Sequence, residues 1–89
     1  NKIVSYSSDK NEVTVVLKEP GTYKVFFADN NGGLLVNATV KTFTVNNGEV
    51  GKEIAVSMPE GNTFPLGTGD RIMLWNEKFA PVCEAFVLQ

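Results

Sequence analysis

The stretch Val13-Thr14-Val15-Val16-Leu17-Lys18-Glu19-Pro20-Gly21-Thr22-Tyr23-Lys24-Val25-Phe26-Phe27-Ala28 decides the fold. Val13, Val15 and Leu17 alternate with Thr14, Val16 and Lys18. After a Pro-Gly turn, Tyr23, Val25 and Phe27 alternate with Lys24, Phe26 and Ala28. A period of two sends successive side chains to opposite faces, so each half reads as a half-buried strand. Val, Thr, Phe and Tyr suit a pleated surface, and Pro-Gly suits a turn.

Working outward, the same grammar continues. Ile54, Val56 and Met58 alternate with Ala55 and Ser57. The run Asp29-Asn30-Asn31-Gly32-Gly33 reads as a hairpin loop, because Asn and Gly accept positive φ at little cost. Asn46-Asn47-Gly48 is a second loop. Pro59-Glu60-Gly61-Asn62 and Gly67-Thr68-Gly69 bracket an irregular stretch holding Phe64-Pro65, and residues 76–81 form the last connection. Strands are therefore expected over residues 2–7, 12–18, 22–28, 34–45, 52–58, 70–76 and 82–88. The fourth changes phase: Leu34, Val36, Ala38 and Val40 share one parity, Phe43 and Val45 the other. A bulge near Lys41-Thr42 accounts for it. No segment has helical periodicity, and none forms a repeat or low-complexity tract. Seven short strands at this spacing predict an all-β fold, a two-layer antiparallel β-sandwich of immunoglobulin-like or fibronectin III-like type. A five-stranded barrel is the main rival. The single Cys83 rules out a disulfide bracketing a buried Trp, which favours the disulfide-free fibronectin-like variant.

Size and composition narrow the function. At 89 residues, the chain reads as one domain, 1–89, cut from a larger multidomain protein. Its core is thin, and little room remains for a buried active site. Eight basic and ten acidic residues are scattered, with no basic stripe for a nucleic acid. Apolar runs fall far short of the ~20 residues of a membrane span. Histidine is absent, which removes Ser-His and Cys-His pairs and Cys/His zinc sites. Cys83, among apolar neighbours, reads as a small core residue.

One stretch resembles a known family. Gly69-Asp70-Arg71-Ile72-Met73-Leu74-Trp75-Asn76, followed by Ala80-Pro81-Val82, resembles the end of certain bacterial modules: an apolar Leu-Trp-Asp-like strand, a short loop, a Pro and a last strand. Glu19-Pro20-Gly21-Thr22-Tyr23-Lys24-Val25 resembles their earlier Pro-Gly turn into a strand. These are fibronectin type III-like or immunoglobulin-like accessory domains of secreted Gram-positive, often clostridial, surface proteins. Asn76 stands where the pattern has Asp. The resemblance implies an extracellular or cell-surface spacer or binding accessory without chemistry of its own.

Several local features suggest sites. Glu84 and Asp70 are a conceivable carboxylate pair for glycoside cleavage, but their spacing does not favour it. The Asp29 loop has one carboxylate, too few for calcium, so no metal is expected. Asn37-Ala38-Thr39 fits the glycosylation triplet and is read as strand sequence. Lys2 on the first strand is a conceivable isopeptide donor, although the final strand has no Asn.

The strongest candidate is an outer aromatic face. With Tyr23, Val25, Phe27, Ile72 and Leu74 inward, Phe26, Met73 and Trp75 point outward. If Cys83, Ala85 and Val87 are inward, Phe86 points outward as well. The third, sixth and seventh strands share one sheet in such a sandwich, so Phe26, Met73, Trp75 and Phe86 would lie together. Loops such as Phe64-Pro65 or Phe79 are expected to fold over this face. Left exposed, it would meet a neighbouring domain, a protein or a glycan. The expected function is a monomeric, cofactor-free, non-catalytic accessory or spacer module. The alternative is a carbohydrate-binding module attached to a secreted glycoside-active enzyme, with Trp75 stacking on a sugar.

Overall fold

A computed structural model describes residues 1–89. Seven strands follow in chain order: β1 Lys2–Ser7, β2 Glu12–Val16, β3 Gly21–Asn31, β4 Leu34–Val45, β5 Ile54–Ser57, β6 Arg71–Asn76 and β7 Phe86–Val87. A single 3-10 turn, Asn47–Glu49, separates β4 from β5, and there is no α-helix. Every pairing is antiparallel. The strands form a three-stranded sheet, β1-β2-β5, and a four-stranded sheet, β4-β3-β6-β7. The all-β, two-layer expectation holds.

The alternation read from the sequence sets the core. Val13 and Val15 of β2, Leu17 just after it, Tyr23, Val25 and Phe27 of β3, and Ile72 and Leu74 of β6 are buried in one cluster. Val56 and Met58 join it, as does Leu66 from the connection before β6. Cross-strand partners share a face, and Val25 lies opposite Leu74 and Phe27 opposite Ile72. The inward faces of the two sheets therefore meet through aliphatic and aromatic side chains, the largest favourable term in such a domain.

Several strand ends differ from expectation. β2 stops at Val16, two residues early, because the chain begins its bend into Pro20. β3 runs on to Asn31, so the loop shrinks from five residues to two, Gly32-Gly33. Both glycines have positive φ (61° and 87°), the backbone of a tight hairpin turn whose twist matches its strands. The three polar residues before them fit either a loop or an exposed strand; the glycines alone force the reversal.

The phase change in β4 lies elsewhere as well. The register shifts between Asp29/Asn30 on β3 while β4 steps from Asn37 to Leu35, so Val36 is the extra residue. No shift occurs at Lys41-Thr42. Thr39, Lys41, Phe43 and Val45 share the inner parity without interruption. Phe43 and Val45 are apolar because the other sheet covers them; nearer the hairpin the inner positions are Asn, Thr and Lys.

The pairing of β3 with β6 ends at Ala28↔Arg71, while β3 and β4 continue to the turn. Residues 29–37 thus project as a two-stranded ribbon. On it Leu34, Leu35 and Val36 are 74, 58 and 55 % exposed. No helix is long and apolar enough to cross a membrane.

Candidate functional site

The outer face of the four-stranded sheet brings three of the four predicted residues together. Phe26 lies opposite Met73 across β3 and β6, and Lys24 lies opposite Trp75. The rings of Phe26 and Trp75 stack, with centroids 4.9 Å apart and planes 22° from parallel. Phe26, Met73 and Trp75 are all half-buried.

The fourth, Phe86, is not on this face. It pairs with the buried Ile72 and packs against the main core. Parity carries only along an unbroken ladder. After the bridge of Pro81 to Trp75, residues 82–85 leave the sheet, and the chain rejoins it at Phe86–Val87 with its phase reset. Val87, expected inside, lies opposite the exposed Arg71 and is 39 % exposed. Val82 and Cys83 pack against the core. Burial pushes the Cys83 thiol up from its usual range, which suits a core residue better than a nucleophile.

Phe79 completes the aromatic row. Its ring meets Trp75 edge-on at 5.9 Å, and the Lys24 ammonium lies 5.1 Å from the Phe79 ring centre. Lys24 also donates to the Thr42 hydroxyl at 3.2 Å. Phe79 is held in left-handed backbone geometry (φ 65°), a costly conformation for an aromatic residue. Asn76 stabilises it. Its side-chain oxygen accepts the amides of Lys78 and Ala80 at 2.9 and 3.1 Å, while its main chain bonds Ala80 and Phe79. Asn76 is therefore the organiser of the 77–80 loop. Phe79 partly covers Trp75 yet remains 60 % exposed. Phe64, the other expected cover, packs against the main core instead.

The remaining candidates resolve individually. Asp70 is the one buried charged residue. Its carboxylate accepts the amides of Asn30 at 2.8 Å and Gly67 at 2.6 Å, tying the base of the ribbon to the loop before β6. Those bonds occupy both of its oxygens, which fits a structural role. Asp29 and Asn37 lie on facing strands and share a 3.4 Å bond across them. No three of the Cys, Asp and Glu residues gather in a way that could hold a metal ion. Lys2 is exposed, and its strand pairs only with β2, which carries no Asn.

Sequence reasoning did not select Leu35, Val40 and Lys24 for this face. Their register with Asn30, Phe26 and Thr42 places them on it. Comparison with protein-family models, curated proteins and solved structures returned no match. The reading of the site rests on its own geometry.

Proposed function

We propose that this chain is a non-catalytic accessory or spacer module of a secreted or cell-surface bacterial protein, and that it docks a neighbouring domain through the outer face of its four-stranded sheet. The observation that carries this reading is the row Phe26–Trp75–Phe79 beside Met73 on a face that the second sheet does not cover. Apolar surface of this kind, left open to water, marks an interaction site. The strained backbone at Phe79 supports it too, because a costly conformation that displays an aromatic needs a compensating use.

The architecture fits the immunoglobulin-like or fibronectin III-like type. β3, β6 and β7 share one sheet and β1, β2 and β5 the other, as in that class of sandwich, with β4 added beside β3. The sugar-binding alternative has less support. Trp75 stacks on Phe26 and is flanked by Phe79, so the platform is not a set of free coplanar rings.

Trp75 is the only tryptophan, so its fluorescence reports on this face alone. Titration with the adjoining domain of the parent protein is expected to quench or shift its emission. Silence in that titration refutes docking through this face. Retention on a polysaccharide, with Trp75 quenched by soluble oligosaccharide, would establish the alternative.

A further inference from the structure

Beyond the aromatic row, the outer face continues into a groove of about 390 Å³ at the base of the ribbon. Phe26 and Ala28 on the central strand lie between Leu35 on β4 and Met73 on β6, with Asn30 and Arg71 alongside. Four of the eight lining residues are hydrophobic, and the other four are Asn30, Gly33, Gly69 and Arg71. Leu35 is 58 % exposed, and Arg71 is exposed as well.

Charge decides what fits. Of the strand residues that the register turns outward on this face, only Lys24 and Arg71 are charged, and both are cations, although the whole chain carries -2. Lys24 is engaged with Thr42 and Phe79. Arg71 has Ala28 and Val87 as cross-strand neighbours and no carboxylate opposite it. A second copy laid on this face would bring cation against cation, which a specific interface avoids. A glycan has no aliphatic side chain to lie against Phe26, Ala28, Leu35 and Met73.

We infer that the groove takes an aliphatic side chain carried beside a carboxylate on an acidic protein segment, with Arg71 pairing the carboxylate. This rests on the docking reading above and names the chemistry of the partner. An Arg guanidinium suits that role, since its planar fork matches a carboxylate.

The test uses the isotope-labelled domain and short peptides alternating Asp and Leu, Lys and Leu, or Asp and Ala, read by amide chemical shifts. The Asp-Leu peptide is expected to shift Phe26, Leu35, Arg71 and Met73 and to weaken as salt rises. Arg71→Glu should weaken it roughly tenfold and admit the Lys-Leu peptide. Leu35→Ser should weaken it with charge unchanged. Both substitutions are at exposed positions, and the same spectra report whether each variant is folded. Equal binding of the Asp-Leu and Lys-Leu peptides to the unmodified domain would overturn the proposal. So would shifts outside the groove, an absence of shifts, or heparin binding in place of the peptide. If Trp75 responds to the neighbouring domain while no peptide binds, docking stands and the groove proposal falls. Groove-confined Asp-Leu binding with Trp75 silent toward that domain supports the groove and removes the domain as its partner.

Discussion

Leu74 and Trp75 are adjacent on β6 and face opposite ways, so truncating each in turn measures which face is the core. Leu74 has no exposed surface and lies opposite Val25 inside the main cluster. A Leu→Ala change at a sealed position costs about 2–5 kcal/mol, through lost transfer energy and the cavity left behind. With a ring of buried neighbours that cannot collapse freely, about 3 kcal/mol is expected here. Trp75 is half-buried against Phe26 and Phe79. A fully buried aromatic hides about 150–250 Å², so half coverage amounts to about 100 Å². At about 25 cal/mol per Å² that is about 2.5 kcal/mol at most. Phe79 sits on a surface loop and can close over the gap, and no sealed cavity forms, so Trp75→Ala should cost about 1–2 kcal/mol. Urea melts followed by circular dichroism suit the test, because Trp75→Ala removes the fluorescent probe. With an m-value of about 1 kcal/mol per molar for a domain this small, the two midpoints should differ by about 1 M or more. An equal or larger loss from Trp75→Ala would refute the assignment of inner and outer faces. The docking surface would go with it.

Two further outcomes follow from the same contacts. Asp70→Ala removes the acceptor of two amides, those of Asn30 and Gly67, and should cost about 2–4 kcal/mol, with faster hydrogen exchange at both; unchanged exchange would show that other groups replace the carboxylate. Burial first, and the charge of Glu19 second, raise the Tyr23 hydroxyl above its ordinary 10.0; burial and then Asp70 do the same for Tyr6. Each is an acid whose folded value lies above its unfolded one. Its contribution is complete below pH 10.0 and is lost as the pH rises through the folded value. Stability should therefore fall on the alkaline side, and Tyr23→Phe should make that fall shallower in melts taken across that range.

Much of this arrangement was legible in the residues. The alternation in β2, β3 and β6 correctly separates Val13, Val15, Val25, Phe27, Ile72 and Leu74 from Phe26, Met73 and Trp75, because side-chain direction in a strand has a fixed period. The failures share one cause. Carrying one parity through to Phe86 assumes a ladder that breaks, and placing a bulge at Lys41-Thr42 breaks a ladder that is continuous there; a ladder's continuity is a property of two strands. The excursion at 82–85 and the extra residue Val36 are set by how the partner strand runs.

The sequence by itself determined the strand class and the order of the seven strands, since period, turn residues and apolar content are local or compositional quantities; the pairing into two sheets decided for a sandwich over a five-stranded barrel. The sequence also placed an aromatic pair outside the core. Tertiary structure decided which loops reach that pair. Phe64 and Phe79 are equally apolar and equally placed between strands, yet one packs against the core and the other covers Trp75. The choice depends on the Asn76 bonds that fold the 77–80 loop back and on the buried Leu66, two residues after Phe64, which ties that connection to the core. The unpaired charge of Arg71 was likewise invisible in a chain of net charge -2. Charge balance on a face is fixed only when register brings distant residues side by side.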